Sequence, residues 1–131
     1  MLKRSEARNN AFILLFECSF LTEFERAEIL ALAEENHEIQ LDEYVLALYN
    51  GVLDNLEAID AEISKYCKKR TVNRLSKMLL TALRISFYEI GYTDIAPAVS
   101  INEAVNLIKT YDSPESASYG NGVLASYVRE K

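Results

Sequence analysis

Histidine occurs once in this chain, at position 37, and that scarcity excludes much of the chemistry a domain of 131 residues could carry. A Ser/His or Cys/His catalytic pair would have to use His37, which sits in the most acidic stretch with no metal-ligand spacing around it. There is no HExxH, no Gly-rich phosphate loop and no GxSxG. An enzyme is therefore not expected, and neither is a metal or another cofactor. Two prolines and four glycines are too few for a sheet-rich architecture with many tight turns. The two cysteines, Cys18 and Cys67, have no CxxC spacing and read as a reduced, buried pair. No basic-then-apolar leader is present, so a cytoplasmic location without a membrane is the expectation.

What is present is helical periodicity. In LSKMLLTALRISFYEI, Leu75 to Ile90, apolar residues recur at i, i+3, i+4, i+7, and Leu80, Ile85 and Phe87 widen the stripe. At about 16 residues it is shorter than the ~20 a bilayer span needs. The pattern predicts a long, apolar central helix wrapped by others in an all-α domain of about seven helices. No repeat or linker divides the chain, so no domain boundary is drawn beyond a two-lobed helical body.

Ahead of it, Ser5 is placed to cap a helix from Glu6 to about Leu21, with Phe12, Phe16 and Phe20 on one line. A row of three Phe serves core packing or faces a partner groove. A helix over Phe24 to Glu35 turns Ile29, Leu30, Leu32 and Ala33 inward. Asp42 opens the next, in which Gly51 costs about 1 kcal/mol relative to Ala and so marks a close helix crossing. The apolar period continues to Tyr66 after a bend near Asn55. Beyond the central helix, Ser100 and Glu103 of SINE read as a capping box. Ser113 followed by Pro114 reads as an N-cap and first helical position. Gly120 and Gly122 in the last helix leave room for a close approach.

The net charge is −6, which argues against indiscriminate nucleic-acid binding, but the charge is segregated. Residues 23–64 hold twelve acids against Arg26 alone. Residues 65–84 hold seven bases and no acid. Lys3, Arg4 and Arg8 cluster where a helix dipole disfavours cations, a placement more natural beside an anion. The expectation is that the Lys3–Arg8 turn and the Lys65–Arg70 joint converge on one surface.

Several stretches, in order, resemble the NusB family of bacterial transcription antitermination factors. ALRISFYEI (82–90) is similar to that family's LRIAxYEL centre, INEAVNLIKTY (101–111) to its INEAxxLAKxY helix, and NGVL (121–124) to its C-terminal NGVL. KRSEARNNAFILLFE (3–17) resembles its basic first helix. The resemblance implies two small helical bundles packed within one domain, an N-terminal subdomain over about 1–64 and a C-terminal one over about 65–131. It implies binding of boxA RNA of ribosomal RNA leader transcripts together with ribosomal protein S10 (NusE), within the RNA polymerase antitermination complex. It implies an RNA side drawing on Lys3, Arg4 and Arg8, on Lys65, Lys68, Lys69 and Arg70, and on Glu115, Ser118 and Tyr119. It implies a partner-protein face of Phe16, Arg74, Met78, Leu79 and Ala82. This chain departs from the pattern in Leu79–Leu80, where an acid and a polar or basic residue are usual. The alternative is a NusB-fold protein-interaction or homo-oligomeric module with weakened RNA binding, the apolar face of the first helix being one route to a homodimer.

Overall fold

Three helices begin where a short polar side chain can accept a backbone N–H. Asp42 accepts from Val45 N (2.9 Å), Ser76 from Leu79 N (3.0 Å) and Ser113 from Ser116 N (3.1 Å). The structure, a computed structural model, describes residues 2–20, 25–36, 39–67 and 72–131. Among these the elements are seven helices and no strand: α1 (Arg4–Phe20), α2 (Arg26–Asn36), α3 (Glu43–Asp54), α4 (Leu56–Tyr66), α5 (Lys77–Tyr92), α6 (Pro97–Tyr111) and α7 (Pro114–Glu130). A single 3₁₀ turn, Val72–Arg74, precedes α5.

α5 is the hub. It lies against α1, α3, α4, α6 and α7, while α2 packs on α1. Its direction relative to three neighbours follows from side-chain contacts. Arg8 near the start of α1 reaches Glu89 near the end of α5, and Lys77 at the start of α5 reaches the Ser19 carbonyl (3.1 Å), so α1 and α5 are antiparallel. α6 is antiparallel to α5 as well, through Ser100–Ser86 and Asp112–Ser76. α7 runs parallel, with the Tyr127 ring 4.1 Å from that of Phe87.

The central helix differs from the long apolar rod expected. With 16 residues it is shorter than α1 or α7, each 17, and it begins at Lys77 because Ser76 caps it. Its buried surface includes Thr81, Ser86 and Glu89, so the helix is wrapped on nearly all sides without being apolar on all sides.

Other starts also shift. α1 begins at Arg4, which puts Ser5 inside the helix, and Glu6 instead accepts from the Lys3 amide (3.1 Å). Pro97 occupies the first turn of α6, so Ser100 lies a turn inside the helix and makes no capping box with Glu103. Leu32 of α2 is exposed, not inward, whereas Ile29 is buried. Asn55 does break α3 from α4, its amide donating to the Gly51 carbonyl (2.8 Å). Gly51 does mark a crossing: a Cβ there would stand 2.6 Å from Tyr88 Cε1. Both cysteines are free, Cys67 buried and Cys18 half-buried beside the Tyr49 hydroxyl (3.3 Å). No helix among the described residues is long and apolar enough to cross a membrane.

Candidate nucleic-acid interface

The first turn of α1 carries Lys3 and Arg4 into solvent. Arg4 lays its guanidinium carbon 3.8 Å over the centre of the Tyr44 ring, at the start of α3. Arg8, one turn on, turns inward. It is 2% exposed, its Nε donating to Glu89 Oε2 (2.8 Å) and its Nη1 lying 3.4 Å from Glu103. Burial alone would lower its pKa, but the hydrogen bond and charge of Glu89 outweigh that and hold it above the usual arginine value. Arg8 is thus corrected from a surface RNA contact to the cation of a buried network.

That network is the polar centre of the fold. Glu89, 1% exposed, accepts from Arg8 and from the Tyr44 hydroxyl on one oxygen and from Ser100 (2.8 Å) on the other. Ser100 also meets Ser86 Oγ (2.8 Å). Four helices, α1, α3, α5 and α6, are tied by one carboxylate. Tyr44, Ser86 and Ser100 had no mark in the sequence as members of it. Glu89 and Glu103 did stand inside the YEI and INEA motifs, which betray their importance but not their burial.

The second basic group is only partly within the described residues. Lys65 is exposed on the last turn of α4, where a hydrogen bond and the charge of Glu62 (2.9 Å) raise its pKa. Lys68, Lys69 and Arg70 lie outside the described residues, as does His37. The chain just before them is anchored on the α4–α7 flank: Tyr66 packs its ring 5.6 Å from that of Tyr127, and the Cys67 thiol lies against the Tyr119 hydroxyl. Glu115 and Ser118 are exposed on the first turns of α7, and Tyr119 is half-buried among them.

The joint expected beside the Lys3–Arg8 turn is described only at Lys65, whose neighbour Tyr66 packs on Phe87 near the end of α5. Lys3 and Arg4 belong to the α1–α3 flank near the end of α5. Lys65, Glu115, Ser118 and Tyr119 belong to the α4–α7 flank, with Gly120 against Leu79 near its start. Leu79 and Glu89 are ten residues apart on α5, about 15 Å along its axis.

A third surface joins the ends of α1 and the start of α5. Phe12 is buried, Phe16 half-buried and Phe20 57% exposed, so the Phe row climbs from core to solvent. Lys77 sits 5.1 Å from the centre of the Phe20 ring. Arg74 is exposed and Met78 half-buried beside them, but Leu79 and Ala82 are 0% exposed. Those two are corrected from exposed contact residues to core, Leu79 lying against Gly120 of α7. Among the described residues no group of three or more His, Cys, Asp or Glu is arranged to hold a metal ion.

Comparison with known proteins shows the family. The family model for the NusB family matches residues 5–129. The chain belongs to the NusB family. A NusB-family relative, the transcription antitermination protein NusB of Clostridium novyi (strain NT), is 39% identical over 133 residues, covering 98% of this chain and 99% of that one. Among solved structures, T. maritima NusB has a TM-score of 0.85 at 29% identity, covering 98% of this chain and 92% of that one. NusB in a crystal structure of the antitermination factors NusB and NusE in complex with dsRNA also has a TM-score of 0.85, at 26% identity and covering 98% and 97%.

Proposed function

We propose that this NusB-family chain is an RNA-binding transcription antitermination factor that engages boxA RNA of ribosomal RNA leader transcripts together with ribosomal protein S10 (NusE). The pair then helps RNA polymerase read through terminators. The observation that carries this reading is the match over nearly the whole chain to NusB in a complex with NusE and dsRNA.

The residues supply a mechanism without bond-making. Lys3, Arg4 and Lys65, with Lys68, Lys69 and Arg70 of the connector, neutralise phosphates and release counterions. Ser118, Glu115 and the exposed part of the Tyr119 ring contact bases. Phe16, Phe20, Arg74 and Met78 face the protein partner. The chain acts in the cytoplasm as one domain of two helical subdomains that meet between residues 64 and 65, and it is not an enzyme.

A gel shift on boxA RNA with and without S10 tests this. The mixture is expected to retard the RNA, with affinity falling steeply as salt rises; no retardation by the mixture at low salt ends the reading. The exposure of Phe20 supports a second reading, an interaction or homodimeric module with weakened RNA binding. Light scattering with and without RNA separates the two, since mass gained only with RNA counts against self-association.

A further inference from the structure

We propose that Tyr44 is a positioning residue for RNA binding, its ring clamped from behind by the buried Glu89 carboxylate so that it holds the Arg4 guanidinium flat and open to an RNA phosphate. The inference rests on Arg4 lying on the RNA side, as proposed above.

Three observations converge on it. The Arg4 guanidinium carbon stands 3.8 Å over the ring, and that of Arg8 is 5.7 Å from the same ring centre. Asp42 and Glu43 line the same recess as Arg4 and Tyr44, yet neither forms an ion pair with Arg4. The phenol donates to Glu89, which Arg8 and Ser100 hold in turn.

The chemistry follows from the geometry. A guanidinium lying flat on a ring keeps its N–H donors in its own plane, pointing past the ring edge, where they match a phosphate in a two-pronged grip. A flexible Arg would lose rotamer freedom on making that grip, whereas a stacked one has already been ordered. The ring can order Arg4 only if it is itself fixed, and the hydroxyl anchored on a carboxylate at 1% exposure fixes it. The chain needs a Tyr here because one end must be a flat π face and the other a hydrogen-bond donor.

The test uses the full-length chain with S10 and boxA RNA, measuring affinity across salt alongside urea unfolding. Tyr44→Leu removes the ring, while Tyr44→Phe keeps the ring and removes the hydroxyl. Both are expected to unfold at lower urea and to weaken RNA binding, Tyr44→Leu by about threefold and Tyr44→Phe by less, since its ring stays but is no longer anchored. Arg4→Ala should reduce the salt slope by about one, and adding Tyr44→Leu to it should produce no further loss. An RNA affinity unchanged in the Phe variant, or a Tyr44→Leu penalty that persists in the Arg4→Ala background, overturns the positioning role alone. Arg4→Ala binding like the unaltered chain, with an undiminished salt slope, overturns the assignment of Arg4 to the RNA side and this inference with it.

Discussion

Glu89 is a carboxylate with almost no access to water, and its charge is tolerated because Arg8, Tyr44 and Ser100 all donate to it. Removing it strands the Arg8 guanidinium, leaving Glu103 at 3.4 Å as its remaining ion-pair partner. Glu89→Ala is expected to cost about 3–5 kcal/mol in urea unfolding, against about 1 kcal/mol for Ser100→Ala, which removes one neutral donor. A Glu89→Ala loss below that of Ser100→Ala would show the network to be dispensable. Tyr44 adds a pH dependence. Burial, then the hydrogen bond and charge of Glu89, push its phenol up from 10.0 to about 12. Below pH 10 the phenol is protonated whether the chain is folded or not, and the contribution to stability is complete. As pH rises through that window the unfolded chain loses the proton first, and stability falls. Burial raises Tyr49 in the same direction. Tyr44→Phe should therefore flatten the decline in urea midpoint between pH 10 and 12, and an unchanged decline would assign it elsewhere. None of this was legible at the level of single residues. Arg8 and Glu89 are 81 positions apart, and a base at the start of a helix has the same letters whether it meets solvent or a buried acid.

At the scale of elements the sequence was far more legible, because helix starts and faces are local matters. Asp42, Ser113 and Asn55 mark boundaries where short polar side chains compete for backbone groups, and the structure has boundaries there. The error at α6 is instructive: Ser100 and Glu103 satisfy a capping pattern, but Pro97 already fits the first turn, so the helix starts earlier and both side chains turn to the network. The two glycines of α7 separate in the same physical way. A Cβ on Gly120 would lie 2.8 Å from Ile108 Cδ1 and 3.1 Å from Leu79 Cδ1, while one on Gly122 would meet nothing within 4 Å. Gly122→Ala should thus stabilise the chain by about 0.5–1 kcal/mol through helix propensity. Gly120→Ala should destabilise it by about 1–2 kcal/mol, because overpacking outweighs the same gain. Thermal unfolding of the two variants checks the pair, and a gain at both positions would mean that α7 is free to slide off Ile108 and Leu79.

For the molecule as a whole, the candidate RNA contacts among the described residues are spread along α5. The Lys3–Arg4 turn and the residues at the start of α7 sit on different flanks of α5, reached through contacts about 15 Å apart along its axis. A stacked strand advances about 3.4 Å per nucleotide, so bridging them takes roughly five nucleotides or more. RNA length therefore becomes a ruler. On a boxA oligonucleotide of about twelve nucleotides with S10 present, Arg4→Ala and Ser118→Glu are expected to weaken binding independently, their losses adding in the double variant as they do for well-separated sites. On an oligonucleotide of about four, one cluster is engaged at a time, so the salt slope of the unaltered chain should be shallower and neither variant alone should abolish binding. If the four-nucleotide RNA instead lost its binding to both variants equally, the two flanks would have to meet at one point.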